Sequence, residues 1–191
     1  MKNFFITSIS ALILTALFVM PSMAQDHADH HQNAEATEQF SDVTEDFRAA
    51  FTDVAEAYIT GKDALFESDL KSATAAFETF KEKLEEIGKH GLSGDGHMAW
   101  MESYAELMEY ATSLTASSII EEARSAFRHL SDELITAVNK FGIVGVVYQQ
   151  YCPMALDSDG ANWLSQNEQV QNPYTPDTMP GCGQVIERIE S

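Results

Sequence analysis

The sequence predicts an all-α fold: an antiparallel four-helix bundle with an irregular C-terminal cap that holds one or two short strands. Three observations predict it. Between Phe47 and Phe141, apolar side chains recur at three- and four-residue steps in four separate runs. The joints between the runs are short, which favours antiparallel neighbours. After Gly142 the helical period ends, and Cys, Pro, Gly, Asn and Trp take its place.

The chain begins with Lys2, an apolar run from Phe4 to Met20, then Pro21 and Ser22-Met23-Ala24. A short basic start, an apolar stretch and small residues before a cleavage point are the marks of a secretory signal peptide, here residues 1–24. The run is short for a membrane span, so no membrane insertion is expected after cleavage. The localisation expected is periplasmic or secreted. Residues 25–39 are rich in His and acid, lack apolar periodicity and read as a disordered leader.

The bundle is expected over 40–142. Phe47, Phe51, Val54, Tyr58 and Leu65 mark the first helix, with Gly61 or Lys62 at the missing step. Leu70, Ala73, Phe77, Phe80, Leu84 and Ile87 mark the second; Ser68 is its candidate N-cap and Gly88 its stop. Gly91–Gly96 reads as a loop. The third helix is expected from about His97 to Leu114, with Met101, Tyr104, Met108 and Ala111 on one face. Ser117 or Ser118 caps the fourth, which Ile120, Ala123, Phe127, Leu130, Leu134, Ala137 and Phe141 define. Residues 143–191 form the cap.

Charge excludes one class of partner. With 11 Lys and Arg against 30 Asp and Glu, the formal net charge is −19. Such a surface repels nucleic acid, whose phosphates need clustered cations. Enzyme chemistry has little footing: there is no G-x-S-x-G, no His-Glu-x-x-His, and no inward Glu-x-x-His pair for a carboxylate di-metal site. The chain is not expected to be an enzyme.

The chemistry on offer is sulfur. Cys152 has Met154 two residues on, and Cys182 has Met179 three residues before it. Thiolate and thioether are soft ligands suited to Cu(I), and zinc also accepts thiolate and imidazole. In an oxidising compartment the same two cysteines are a disulfide candidate. Both readings stand at this point.

In an up-and-down bundle the end of the fourth helix, where the cap leaves, lies beside the start of the third. His97 and Met101 therefore join Cys152, Met154, Met179 and Cys182 as metal candidates. His90, Met98 and the leader's His27, His30 and His31 are possible auxiliaries. His129 lies far down the helix and reads as a surface residue.

The run Tyr151-Cys152-Pro153-Met154-Ala155, Gly160-Ala161-Asn162-Trp163-Leu164-Ser165, Asn172-Pro173-Tyr174 and Met179-Pro180-Gly181-Cys182-Gly183 resembles the bacterial domain of unknown function 3347 family. Ala123-Arg124-Ser125-Ala126-Phe127 and Leu130-Ser131 are similar to that family's fourth helix. The resemblance covers roughly 40–187, with one departure: Thr175-Pro176 stands where members often carry Phe-Gly. It implies an exported helical domain, stand-alone or fused to periplasmic adaptor subunits of heavy-metal efflux systems. The function expected is thus copper or heavy-metal binding, with sequestration or transfer to efflux components. The alternative is a disulfide-locked helical interaction module without metal. The sequence leaves the oligomeric state open.

Overall fold

The computed structural model describes residues 39–190. The segment expected to be a signal peptide, and the leader up to Glu38 with His27, His30 and His31, lie outside the described residues. Four long helices dominate: α1 (Glu45–Phe66), α2 (Leu70–Ile87), α3 (Gly96–Thr115) and α4 (Ile120–Phe141). A three-stranded antiparallel sheet follows, β1 (Val146–Cys152), β2 (Ala161–Ser165) and β3 (Gln184–Glu190), in the order β2-β1-β3. None of the described helices is long and apolar enough to cross a membrane.

Local chemistry sets the helix ends. Thr44 Oγ1 accepts the Phe47 N–H at 3.2 Å, and Glu45 and Asp46 place negative charge on the first turn of α1. The expected cap of α2 moves by one residue. Asp69, not Ser68, accepts the Ser72 N–H at 3.0 Å, while Ser68 takes a left-handed φ of 56° in the turn. Neither Ser117 nor Ser118 caps α4 through its side chain. Ile119 sits at the N-cap, and the Glu122 carboxylate reaches back to the Ser118 N–H at 3.0 Å. Gly88 and Gly142, with φ of 68° and 75°, stop α2 and α4.

Helices α1 and α2, α2 and α3, and α3 and α4 pack in succession, and α1 also touches α4. At one end Phe47, Phe51, Trp100 and Phe141 interlock edge to face. In the middle the Tyr58 and Phe127 rings stack with centroids 5.1 Å apart, and Phe77 packs against both. Gly61 lets α1 approach α2: a Cβ there would lie 2.5 Å from two Phe77 ring carbons. Lys62 is also buried, its Nζ paired with Asp63.

Helix α3 turns by one position from the expected face. Trp100, Ser103, Leu107, Ala111 and Leu114 are buried, while Met101, Tyr104 and Met108 are only partly so. Both stripes have helical spacing, and the large Trp100 indole settles between them. Its Nε1–H donates to Gly88 O at 2.9 Å, so the ring is satisfied as well as buried.

The cap is more ordered than expected, with three strands rather than one or two. A register shift opposite Gln149 and Gln150 leaves Ile186 as an extra residue in β3 and exposes it. The sheet lies along α4 through β2, and the Leu164 N–H donates to Tyr58 Oη at 3.2 Å. Tyr58 Oη shares a 2.7 Å hydrogen bond with Ser131, which joins α1, α4 and β2 through one phenol. Burial pushes that phenol well above its ordinary pKa, so it stays neutral.

Candidate functional site: the bridged cap and its cleft

Cys152 ends β1 and Cys182 precedes β3, and the two form a disulfide with Cα atoms 5.8 Å apart. Cys152 is fully buried and belongs to the core, while Cys182 is partly buried against it. Around the bridge, side-chain hydrogen bonds tie the cap together beside its buried Trp163, Leu164 and Tyr174. The buried Gln150 amide accepts from Trp163 Nε1 at 2.8 Å and donates to Asn167 O at 2.9 Å. Asn172 does the same for the second half of the cap. Its Nδ2 donates to Cys182 O at 2.9 Å, and its Oδ1 accepts the Tyr174 N–H at 2.9 Å.

The cap is anchored to the helices by Arg124. Its Nε donates to Pro173 O at 2.8 Å, and its Nη2 donates to Leu65 O at 3.0 Å and Ser68 Oγ at 2.9 Å. One guanidinium thus joins the end of α1, the start of α4 and the cap. Burial lowers its pKa from the ordinary arginine range, while Asp177 and Glu121 oppose that shift. Tyr174 packs on Phe127 and Trp163 and donates to Asn162 O at 2.9 Å.

Between α4 and the cap lies an open cleft of about 450 Å³. Arg124, Arg128 and His129 line its helical wall; Leu156, Asp157, Asp159 and Tyr174 line the cap wall. The cap wall includes the single turn Ala155–Ser158. Its residues Leu156, Asp157 and Ser158 take φ of 51°, 58° and 75°, so it is a left-handed turn and not a helix in the ordinary sense.

The predicted metal residues fall in two places. Met154 is exposed just beyond Cys152, and the partly buried Met179 accepts the Cys182 N–H through its carbonyl at 3.0 Å, so both flank the bridge. His97 and His90 stack with centroids 5.5 Å apart at the other location. There His97 Nδ1 bonds Leu92 O at 2.8 Å, Met101 is partly buried and Met98 is exposed.

The cap meets α4 between Arg124 and Asp132. The histidine end meets α4 at Phe141, through Trp100. Nine residues of helix separate Asp132 from Phe141, roughly 14 Å at 1.5 Å per residue. Among the described residues no group of three His, Cys, Asp or Glu side chains is placed to hold a metal. Bridged sulfurs are not thiolates, so the cap's donor set does not fit Cu(I) while the bridge is closed.

Sequence reasoning missed the Arg124 clamp, the cleft and a carboxyl pair. Arg124, Arg128 and His129 do carry a signal: three basic groups within six positions of a strongly acidic chain. The carboxyl pair joins Glu106 of α3 to Glu133 of α4, beside the buried Ser103 hydroxyl and within reach of Lys140. Desolvation and the Glu106 partner push the Glu133 carboxyl up to about 7, against the pull of Ser103 and Lys140.

Because the folded pKa exceeds the ordinary 4.5, the folded chain holds a proton that the unfolded chain releases between those values. This contribution is complete below pH 4.5 and is lost as pH rises through 7. We expect the thermal midpoint to fall between pH 6 and pH 8. In Glu133→Gln that slope flattens, and the variant gains roughly 1 kcal/mol at pH 8 after allowance for the solvent that still reaches the site. Equal slopes in variant and parent would refute the shared proton.

Residues 54–144 match the model of a family described as protein of unknown function (DUF3347). The match starts inside α1 and stops before β1, so the Cys, Pro and Met motifs of the cap lie beyond it. No curated protein and no solved structure matches the chain. Over its helical portion, residues 54–144, the chain resembles the DUF3347 family of proteins of unknown function.

Proposed function

We propose that the chain is an exported, disulfide-locked interaction module: an antiparallel up-and-down bundle of α1–α4 that presents a rigid cap. The Cys152–Cys182 bridge is the observation that carries this reading. A bridge of this kind persists in oxidising compartments, which agrees with the signal-peptide pattern of Lys2 to Ala24. Successive helix packing with an α1–α4 contact, joined by short connections, supports the bundle. The charge of −19 argues for a partner other than nucleic acid.

Copper binding is the second reading, and it is conditional on reduction. What favours it is that the two sulfurs already meet, with Met154 and Met179 alongside. Reduction would turn the bridge into two adjacent thiols beside thioethers, and transfer to efflux components would belong to that state.

One pair of measurements separates the two. Intact mass of protein taken from the oxidising compartment is expected to lie two hydrogens below the reduced mass. Anaerobic Cu(I) titration of that bridged protein is expected to show no stoichiometric binding. If the protein arrives with free thiols, and tight binding disappears in a Cys152→Ser/Cys182→Ser variant, the locked module gives way to a copper carrier.

A further inference from the structure

The loop closed by the bridge supplies the whole cap wall of the α4 cleft, since Leu156, Asp157, Asp159 and Tyr174 all lie between Cys152 and Cys182. We propose that this cleft binds a small zwitterion, a free amino acid or a dipeptide, with its carboxylate on Arg124 and Arg128 and its ammonium on Asp157 and Asp159. The inference rests on the locked-module reading and names the ligand class of that module.

The helical wall offers cations. Arg124 and Arg128 are four residues apart and share a face of α4. Arg124 uses Nε to hold the cap and Nη2 to hold the end of α1, which leaves the Nη1 donors without a hydrogen bond among the described residues. Those donors are not sealed away, since no Arg124 atom is among the buried side-chain atoms that lack a hydrogen bond in the described residues. Arg128 Nη1 stands 3.6 Å from Asp159 Oδ2, a pairing looser than a direct hydrogen bond and open to exchange for a ligand carboxylate.

The cap wall offers anions. Asp157 and Asp159 are exposed, and Glu121 stands at the helical side. Three carboxylates disfavour a simple oxyanion such as phosphate, and two guanidiniums disfavour a simple cation. A ligand with both charges meets both walls without leaving either set unpaired. Leu156 and Tyr174 add apolar surface between the charges, and 450 Å³ suits a ligand of this size.

The backbone agrees. Leu156, Asp157 and Ser158 hold three consecutive left-handed conformations without a glycine among them. Non-glycine residues avoid that region, and such strain collects at ligand sites. The turn places Asp157 and Asp159 on the cleft wall across from Arg124 and Arg128, with Asp159 paired to Arg128.

The test is calorimetric titration of the oxidised mature chain at low salt with free amino acids and a set of X-Ala dipeptides. N-acetylated and C-amidated forms of each member that binds are titrated next. We expect saturable binding by at least one probe, weakened at least tenfold by capping either end. Arg128→Gln is expected to weaken binding at least tenfold and to abolish the discrimination between free and amidated C-termini, with an unchanged melting temperature. Asp157→Asn, on the exposed wall, is expected to abolish discrimination against the N-acetyl form.

No saturation by any uncapped probe, equal binding of capped probes, or indifference to Arg128→Gln would overturn the proposal. Intact mass of the same sample keeps the two readings apart. A bridged chain that binds nothing removes this site alone, whereas free thiols remove the locked module.

Discussion

Replacing Cys152 and Cys182 together by serine is expected to lower the unfolding free energy by about 3–4 kcal/mol, the loop-closure value for a bridge over this span. The two residues are 30 apart in sequence, and Cys152 is buried in the core, so the loss is felt in both the folded and the unfolded chain. In a thermal scan this corresponds to a fall of roughly 10 °C for a chain of this size. Reductant should reproduce the shift in the parent protein and leave the double variant unaffected. If the parent and variant midpoints coincide, the bridge does not contribute to stability, and the locked module loses its foundation.

Trp100→Ala has an expected cost as large or larger, about 3–5 kcal/mol. The indole is fully buried, packs edge-on against Phe47, Phe51 and Phe141, and caps the end of α2 through Gly88 O. Alanine would leave a void where three helices meet and would remove one of the two hydrogen bonds to that carbonyl, which keeps the Gly91 N–H at 3.1 Å. Trp100→Phe retains most of the apolar volume but not the hydrogen bond, so its midpoint should fall between those of the parent and the alanine variant. The two lesions share no partner: the cap meets α4 at Arg124–Asp132, and Trp100 meets it at Phe141. Their costs should therefore add. A Trp100→Ala protein as stable as its parent would contradict the packing described for that end.

The helices were legible because their signal is local. The three-four spacing in Leu70 to Ile87 and Ile120 to Phe141 coincides with α2 and α4 as observed. The face of α3 was not legible, since Trp100-Leu107-Ala111 and Met101-Tyr104-Met108 are both apolar at helical spacing. Only the depth available to an indole chooses between them. The caps at Ser68, Ser117 and Ser118 were misread because a hydroxyl suits the N-cap chemically, yet Asp69 and Glu122 hold the geometry.

The cap resisted reading for a different reason. Gln150, Asn172 and Arg124 organise it by hydrogen bonds to Trp163, Cys182, Pro173 and Leu65, 10 to 59 positions away, and such partners leave no period in the sequence. The two cysteines were recognised as a pair with two possible fates, and spacing alone could not choose. Placing His97 beside them assumed that the cap stays at the helix end where it emerges. Instead the chain doubles back along α4, because Tyr174 and Leu164 find Phe127 and Tyr58 there.

That doubling back has a kinetic side. Each helix closes contacts only a few residues apart, whereas Leu164 reaches Tyr58 across 106 positions of chain. Elements with short-range contacts assemble early, and pairings between distant segments wait for the loop entropy to be overcome. A nascent chain thus completes α1 to α4 before residues 143–190 have anything to dock on. Until they dock, Tyr58 and Phe127 lack the cover that Leu164 and Tyr174 give them. Docking of that segment is therefore expected to be the late step of folding, and closing the Cys152–Cys182 bridge would then hold it in place.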